Sequence, residues 1–154
     1  MRFQINSRKE KLDKYFQRVN ASKSNDEIRS DLAKHGAILI CGFVERCVEL
    51  VILERLSGLT HPRITKFIRS YFKRGTNYDC EAICQLLERF DLDSASSFRL
   101  FMTSNDHLVQ AMTSVYTLRN SIAHGGDANS GLKGVMDLYA AAKETIDGLI
   151  NATE

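Results

Sequence analysis

The stretch AILICGFVERCVELVIL, residues 37–53, limits what this chain can fold into more than any other part of it. Wound as a helix it is apolar nearly all the way round, with Glu45, Arg46 and Glu49 as its charges. Such a helix cannot rest on a surface, so it has to be the central, most buried element, and the remainder of the chain has to cover it. Ser24-Asn25-Asp26-Glu27 reads as a capping box, with Ser24 as N-cap and Glu27 returning to it. The helix it opens should run to about Ser57 and stop at Gly58.

The cover is helical too. No alternating Val/Ile/Thr run bounded by hairpin turns occurs, there is a single proline, and no repeat of any period stands out. Helices are predicted at about 6–19, 62–74, 80–90, 94–104, 106–124 and 132–151. Pro62 suits a first turn, and Asp79 and Asp93 suit N-caps. The last of them carries a stripe of Leu132, Val135, Met136, Tyr139, Ala142, Ile146, Leu149 and Ile150. The expected fold is all-α: a compact antiparallel bundle of about five to seven helices, with no sheet. A length of 154 residues fits one domain, 1–154, with 1–23 as a basic N-terminal helical arm.

Several function classes fall away early. No apolar run is long enough to span a bilayer, so no membrane role is expected, and the basic start lacks the apolar region of a secretory signal. A cytoplasmic location follows by default. Cys41, Cys47, Cys80 and Cys84 show no metal-ligand spacing and are read as buried, reduced thiols. No metal or cofactor is called for, and none of the thiols has a nearby cue for an activating base. A net charge of +2 is too small to argue for nucleic acid by itself.

The segment YTLRNSIAHGG, residues 116–126, breaks the pattern of its helix. The apolar stripe runs Leu108, Met112, Val115 and Ile122, and the position that completes it is Arg119. An arginine there either snorkels out, or pairs internally or with an anion. His124 lies five residues on, about 140° away around a regular helix. It shares the polar side with Thr113, Thr117 and Asn120, and Gly125 suits a left-handed position just past the helix end. His124 is therefore either an acid–base group or a surface capping residue.

At these residues the chain resembles a known family. LRNSIAHG looks like the Arg-x4–6-His motif of the HEPN superfamily, with Arg119 and His124 on its defining positions and Asn120 on the polar position after the arginine. GFVERCVELV, residues 42–51, resembles the early HEPN helix with an acidic residue best matched by Glu45. The nearest subgroup is the RiboL-PSP-HEPN type. The resemblance implies a small helical bundle that forms a homodimer, with two motifs facing each other as one composite site. It implies a metal-independent endoribonuclease that uses the RNA 2′-OH as nucleophile, in defence or stress control, and inactive on DNA. Some HEPN toxins carry a tyrosine two residues after the histidine as an adenylylation target; here that position is Gly126.

Two further features bear on that reading. Ile38, Gly42, Glu45 and Glu49 fall on nearly one line of the central helix. That line either faces the cleft, with Glu45 pairing Arg119, or is a solvated strip with Glu49 and Arg46 as a surface pair. The segment HPRITKFIRSYFKRG, residues 61–75, holds Arg63, Lys66, Arg69, Lys73 and Arg74, no acidic residue, and three interleaved aromatics. It is either a grip for an RNA backbone, with Tyr71 as a stacking surface, or a solvated basic face whose aromatics pack inward. Arg8, Lys9, Lys11, Lys14, Arg18 and Lys23 form a second basic patch. His35, His61 and His107 share no spacing and receive no chemistry. The competing function is a HEPN-fold dimerisation, RNA-binding or regulatory module that does not cleave, and an unidentified regulatory protein stays open as a partner.

Overall fold

The computed structural model describes residues 1–23, 25–72, 75–126 and 130–154, and among them it contains seven α-helices and no strand. They are α1 (Arg2–Ala21), α2 (Asp26–Leu56), α3 (Pro62–Tyr71), α4 (Cys80–Glu88), α5 (Leu92–Thr103), α6 (Asp106–Ala123) and α7 (Leu132–Ala152). The architecture is the all-α bundle that the hydrophobic pattern requires. α2 is its axis, packed chiefly on α7, α6 and α1. Ala33, Ala37, Ile40, Cys41, Phe43, Val44, Cys47, Val48, Val51 and Ile52 of that helix are all buried.

The segment 1–23, expected as a basic arm, holds α1, which lies along α2 and α7 and places Ile5, Phe16 and Val19 in the core. The close approach depends on Gly36, where a Cβ would stand 2.9 Å from the Phe16 ring. Phe16 stacks on Tyr139 of α7 at 5.1 Å, and the Tyr15 hydroxyl donates to the Leu32 carbonyl at 2.7 Å. Lys9–Asp147 and Lys143–Asp13 ion pairs join the same two helices at the rim. α7 buries the predicted stripe, except that Met136 is half-buried, and meets α5 at Gly148. There a Cβ would fall 2.0 Å from a carbon of Phe101, so only glycine admits the ring.

Three local expectations are corrected. α2 is capped by Asn25, whose side chain accepts from the Ile28 N–H at 2.9 Å; Ser24 lies outside the described residues. α5 is capped by Asp91 rather than Asp93: its carboxylate accepts from the Asp93 N–H at 3.1 Å and from the Ser94 hydroxyl at 2.6 Å. The first of these bonds leaves Asp93 inside the opening turn, where its charge still suits the helix N-terminus. α3 ends at Tyr71, short of the expected 74. Asp79 does cap α4, accepting from the Ala82 N–H at 2.9 Å, and Pro62 does open α3.

Candidate functional site

The end of α6 is closed by backbone geometry. Gly125 takes φ +72°, a left-handed conformation that an L side chain resists. Gly125 N–H donates to the Ile122 carbonyl at 3.2 Å and Gly126 N–H to the Ser121 carbonyl at 2.8 Å. This is the paired closure of a Schellman end, and it satisfies carbonyls that the helix leaves without partners. His124 becomes the C-cap, and its imidazole is exposed.

Arg119 looks the other way, into the bundle. Its side chain is 28% exposed, and Nη1 donates to Asn77 Oδ1 at 2.9 Å and to Asn120 Oδ1 at 3.0 Å. Nη2 faces Glu45 Oε1 at 3.6 Å, an ion pair longer than a hydrogen bond. Of the placements that the stripe left open, this arginine is internally paired. The two readings of the α2 line meet here as well, because Glu45 reaches Arg119 while Arg46 pairs with Glu49.

Burial raises the Glu45 carboxyl above its ordinary range, and the Arg119 and Arg46 guanidinium groups pull it back. At 25% exposure that carboxylate is held beside the arginine in surroundings drier than bulk water. Tyr116 and Cys41 pack beneath the cluster. The Cys41 thiol contacts the Val115 carbonyl at 3.8 Å, and burial pushes it up to about 12, which makes it a packing group rather than a nucleophile. All four cysteines are free and buried. Among the described residues no three His, Cys, Asp or Glu side chains converge as metal ligands.

The structure thus gathers Arg119, Asn120 and Glu45, adds Asn77, and leaves His124 exposed at the helix end. Sequence reasoning missed Asn77. It sits between α3 and α4, 42 positions from its arginine, and carries no motif. Its neighbour Tyr78 is buried, with its ring 6.1 Å from that of Phe72. Asn77 therefore has a fixed anchor at the end of α3.

Arg63, Lys66 and Arg69 of α3 are exposed, whereas Lys73 and Arg74 lie outside the described residues. The aromatics of this helix do not pack inward as a set: Phe67 is 74% and Tyr71 41% exposed, and Phe72 alone is half-buried. His61 has a structural task, accepting from the Arg63 N–H at 3.2 Å as the N-cap of α3. Among the described residues no helix is long and apolar enough to cross a membrane.

Neither curated proteins nor solved structures give a match to this chain. The sequence model of one family, RiboL-PSP-HEPN, matches residues 4–154, nearly the whole length. A family model that spans nearly the whole chain, together with the all-helical bundle, decides membership: the chain belongs to the RiboL-PSP-HEPN family of the HEPN superfamily.

Proposed function

We propose that the protein is a metal-independent endoribonuclease whose active site is completed by a second copy of the chain. The observation that carries this reading is a guanidinium held in place by Glu45, Asn77 and Asn120, on the same helix end that exposes the His124 imidazole. HEPN membership supplies the context, since many such domains are ribonucleases.

In this mechanism the RNA 2′-oxygen attacks the adjacent phosphorus while its proton passes to an imidazole. The bond to the 5′-oxygen breaks, and that oxygen takes a proton from an acid, leaving a 2′,3′-cyclic phosphate and a 5′-hydroxyl. Arg119 matches the charge that grows on the phosphoryl oxygens, because its planar fork of donors fits them. Glu45, Asn77 and Asn120 act as positioning residues that hold the fork ready. The helix end of one chain offers one imidazole, His124, for two proton transfers, so a homodimer that brings two His124 side chains to one phosphate completes the set. Arg63, Lys66 and Arg69, with Lys73 and Arg74, form the RNA approach surface.

The test uses purified wild type, Arg119→Ala and His124→Ala, incubated with RNA and with DNA of the same sequence in the presence of a chelator. Wild type should cleave RNA alone and leave cyclic phosphate ends, and each variant should lose roughly a hundredfold or more. Equal cleavage by all three would mark a contaminating nuclease and remove the proposal. Light scattering of the wild type should give a dimer; a monomer that still cleaves would refute the shared site.

One observation favours a second reading. Both Nη1 protons of Arg119 are already committed to asparagine side chains, as in a structural arginine. A HEPN-fold module that binds RNA or a partner without cleaving it would retain that arrangement. It predicts RNA binding that survives His124→Ala with no cleavage in any variant.

A further inference from the structure

α3 presents two unlike faces. Arg63, Lys66 and Arg69 lie on one side, and Ile64, Phe67, Ile68 and Tyr71 on the other. No residue of this ten-residue helix is buried, and Phe67, Ile64 and Tyr71 are 74%, 50% and 41% exposed. An apolar face kept in water at that level does not serve the core, and contiguous patches of this kind mark interaction sites. Beneath it runs an open groove of about 250 Å³ between α3, the last turns of α2 and α4. Ile52, Leu56, Ile68, Phe72, Leu86 and Phe90 line it, with Arg89 as its charged member.

We propose that this groove is a docking site for an acidic amphipathic helix of another protein. The occupant lays apolar side chains between α3 and α4 and sets its carboxylates against Arg63, Lys66, Arg69 and Arg89. Charge complementarity argues for the acidic partner: α3 holds Arg63, Lys66 and Arg69 and no acidic residue, and Arg89 lines the groove. The lining argues for a protein. Apart from Arg89 and the Tyr71 hydroxyl, its almost wholly apolar wall has no group to pair with the edges of nucleobases, and it is concave, whereas a lipid surface favours a convex apolar face. Its small volume suits a few anchoring side chains rather than an engulfed ligand.

Occupancy has a consequence that rests on the ribonuclease reading above. The cations that hold the partner are the ones that an incoming RNA would meet, so the bound helix excludes RNA. Phe72, a wall of the groove, packs on Tyr78, and the adjacent Asn77 holds Arg119. The groove is thus connected through a short packed segment to the guanidinium.

A displayed library of random peptides of about 16 residues, some four helical turns, would be selected on the full chain. Enriched sequences should be net acidic, with apolar residues at i, i+3 or i+4, and i+7. A synthetic peptide from that set should bind wild type and lose about tenfold or more in affinity for Phe67→Ser and for Arg63→Glu/Arg69→Glu. Circular dichroism melts of both variants should match wild type, since these side chains are exposed.

No enrichment, neutral or basic winners, or equal binding to the variants would each overturn the proposal. So would binding of a U-rich oligonucleotide, of phosphatidylserine vesicles or of a second copy of the chain that Phe67→Ser abolishes, because the groove would then have another occupant. Saturating peptide should stop RNA cleavage by wild type but not by Phe67→Ser. Cleavage that continues with peptide bound defeats the regulatory half alone, whereas a wild type that never cleaves defeats the ribonuclease reading and leaves the docking result standing.

Discussion

Removing the Arg119 guanidinium acts first on Glu45. Burial raises that carboxyl and Arg119 lowers it, so in Arg119→Ala the carboxyl should titrate at a higher pH than in wild type, which carbon-13 NMR of the labelled side chain reads directly. The same shift sets a pH dependence of stability. Between 4.5, its ordinary value, and its raised value in the fold, the native protein keeps a proton that the unfolded chain has lost. Stability contributed by Glu45 therefore falls as pH rises through that window. Glu45→Gln should flatten thermal melts over that range relative to wild type; an unchanged slope would show that Glu45 is not the group responsible. The anomaly at 119 was legible in the sequence because a charge on a packing stripe has few resting places, and an acidic residue on the central helix is one of them. Asn77 was not legible. Its role comes from where the α3–α4 connection returns to the bundle, and no local pattern encodes that return.

Helix ends and helix crossings follow different rules of legibility. The stripe of α7 could be read from its own spacing, yet the reason for Gly148 lies on another helix, in the ring of Phe101. Alanine there gains about 1 kcal/mol of helix propensity but has to displace an aromatic ring. Gly148→Ala should destabilise the protein by about 1–3 kcal/mol net, measured by urea denaturation, and Phe101→Ala in the same chain should recover part of the loss. Asp79 was legible as the cap of α4, but the caps of α2 and α5 only to within a residue or two. Asn25 follows Ser24 and Asp91 precedes Asp93, all competent capping residues. Asp91 caps α5 because it also reaches the Ser94 hydroxyl, a choice made by geometry rather than by residue type.

Taken as one body, the protein keeps its reactive sulfur inside. The four thiols sit in a core continuous from Ile5 to Ile150, and burial pushes Cys41, Cys47 and Cys80 up to about 12. Ellman's reagent should therefore modify the native chain roughly a hundredfold more slowly than the chain in guanidinium, and rapid labelling of native protein would contradict this packing. The closed end of α6 has a consequence for descent as well. A Cβ at position 126 would stand 2.5 Å from the Ser121 hydroxyl and 3.2 Å from the Ser121 carbonyl that accepts the 126 N–H. A tyrosine there would have to turn the Ser121 hydroxyl aside and press on the carbonyl that helps close the turn bearing His124. Descent toward a taggable side chain at this position meets that local crowding first. If the chain cleaves RNA as proposed, an off-switch by tagging at that spot would carry this steric cost, which a partner that arrives and departs would avoid.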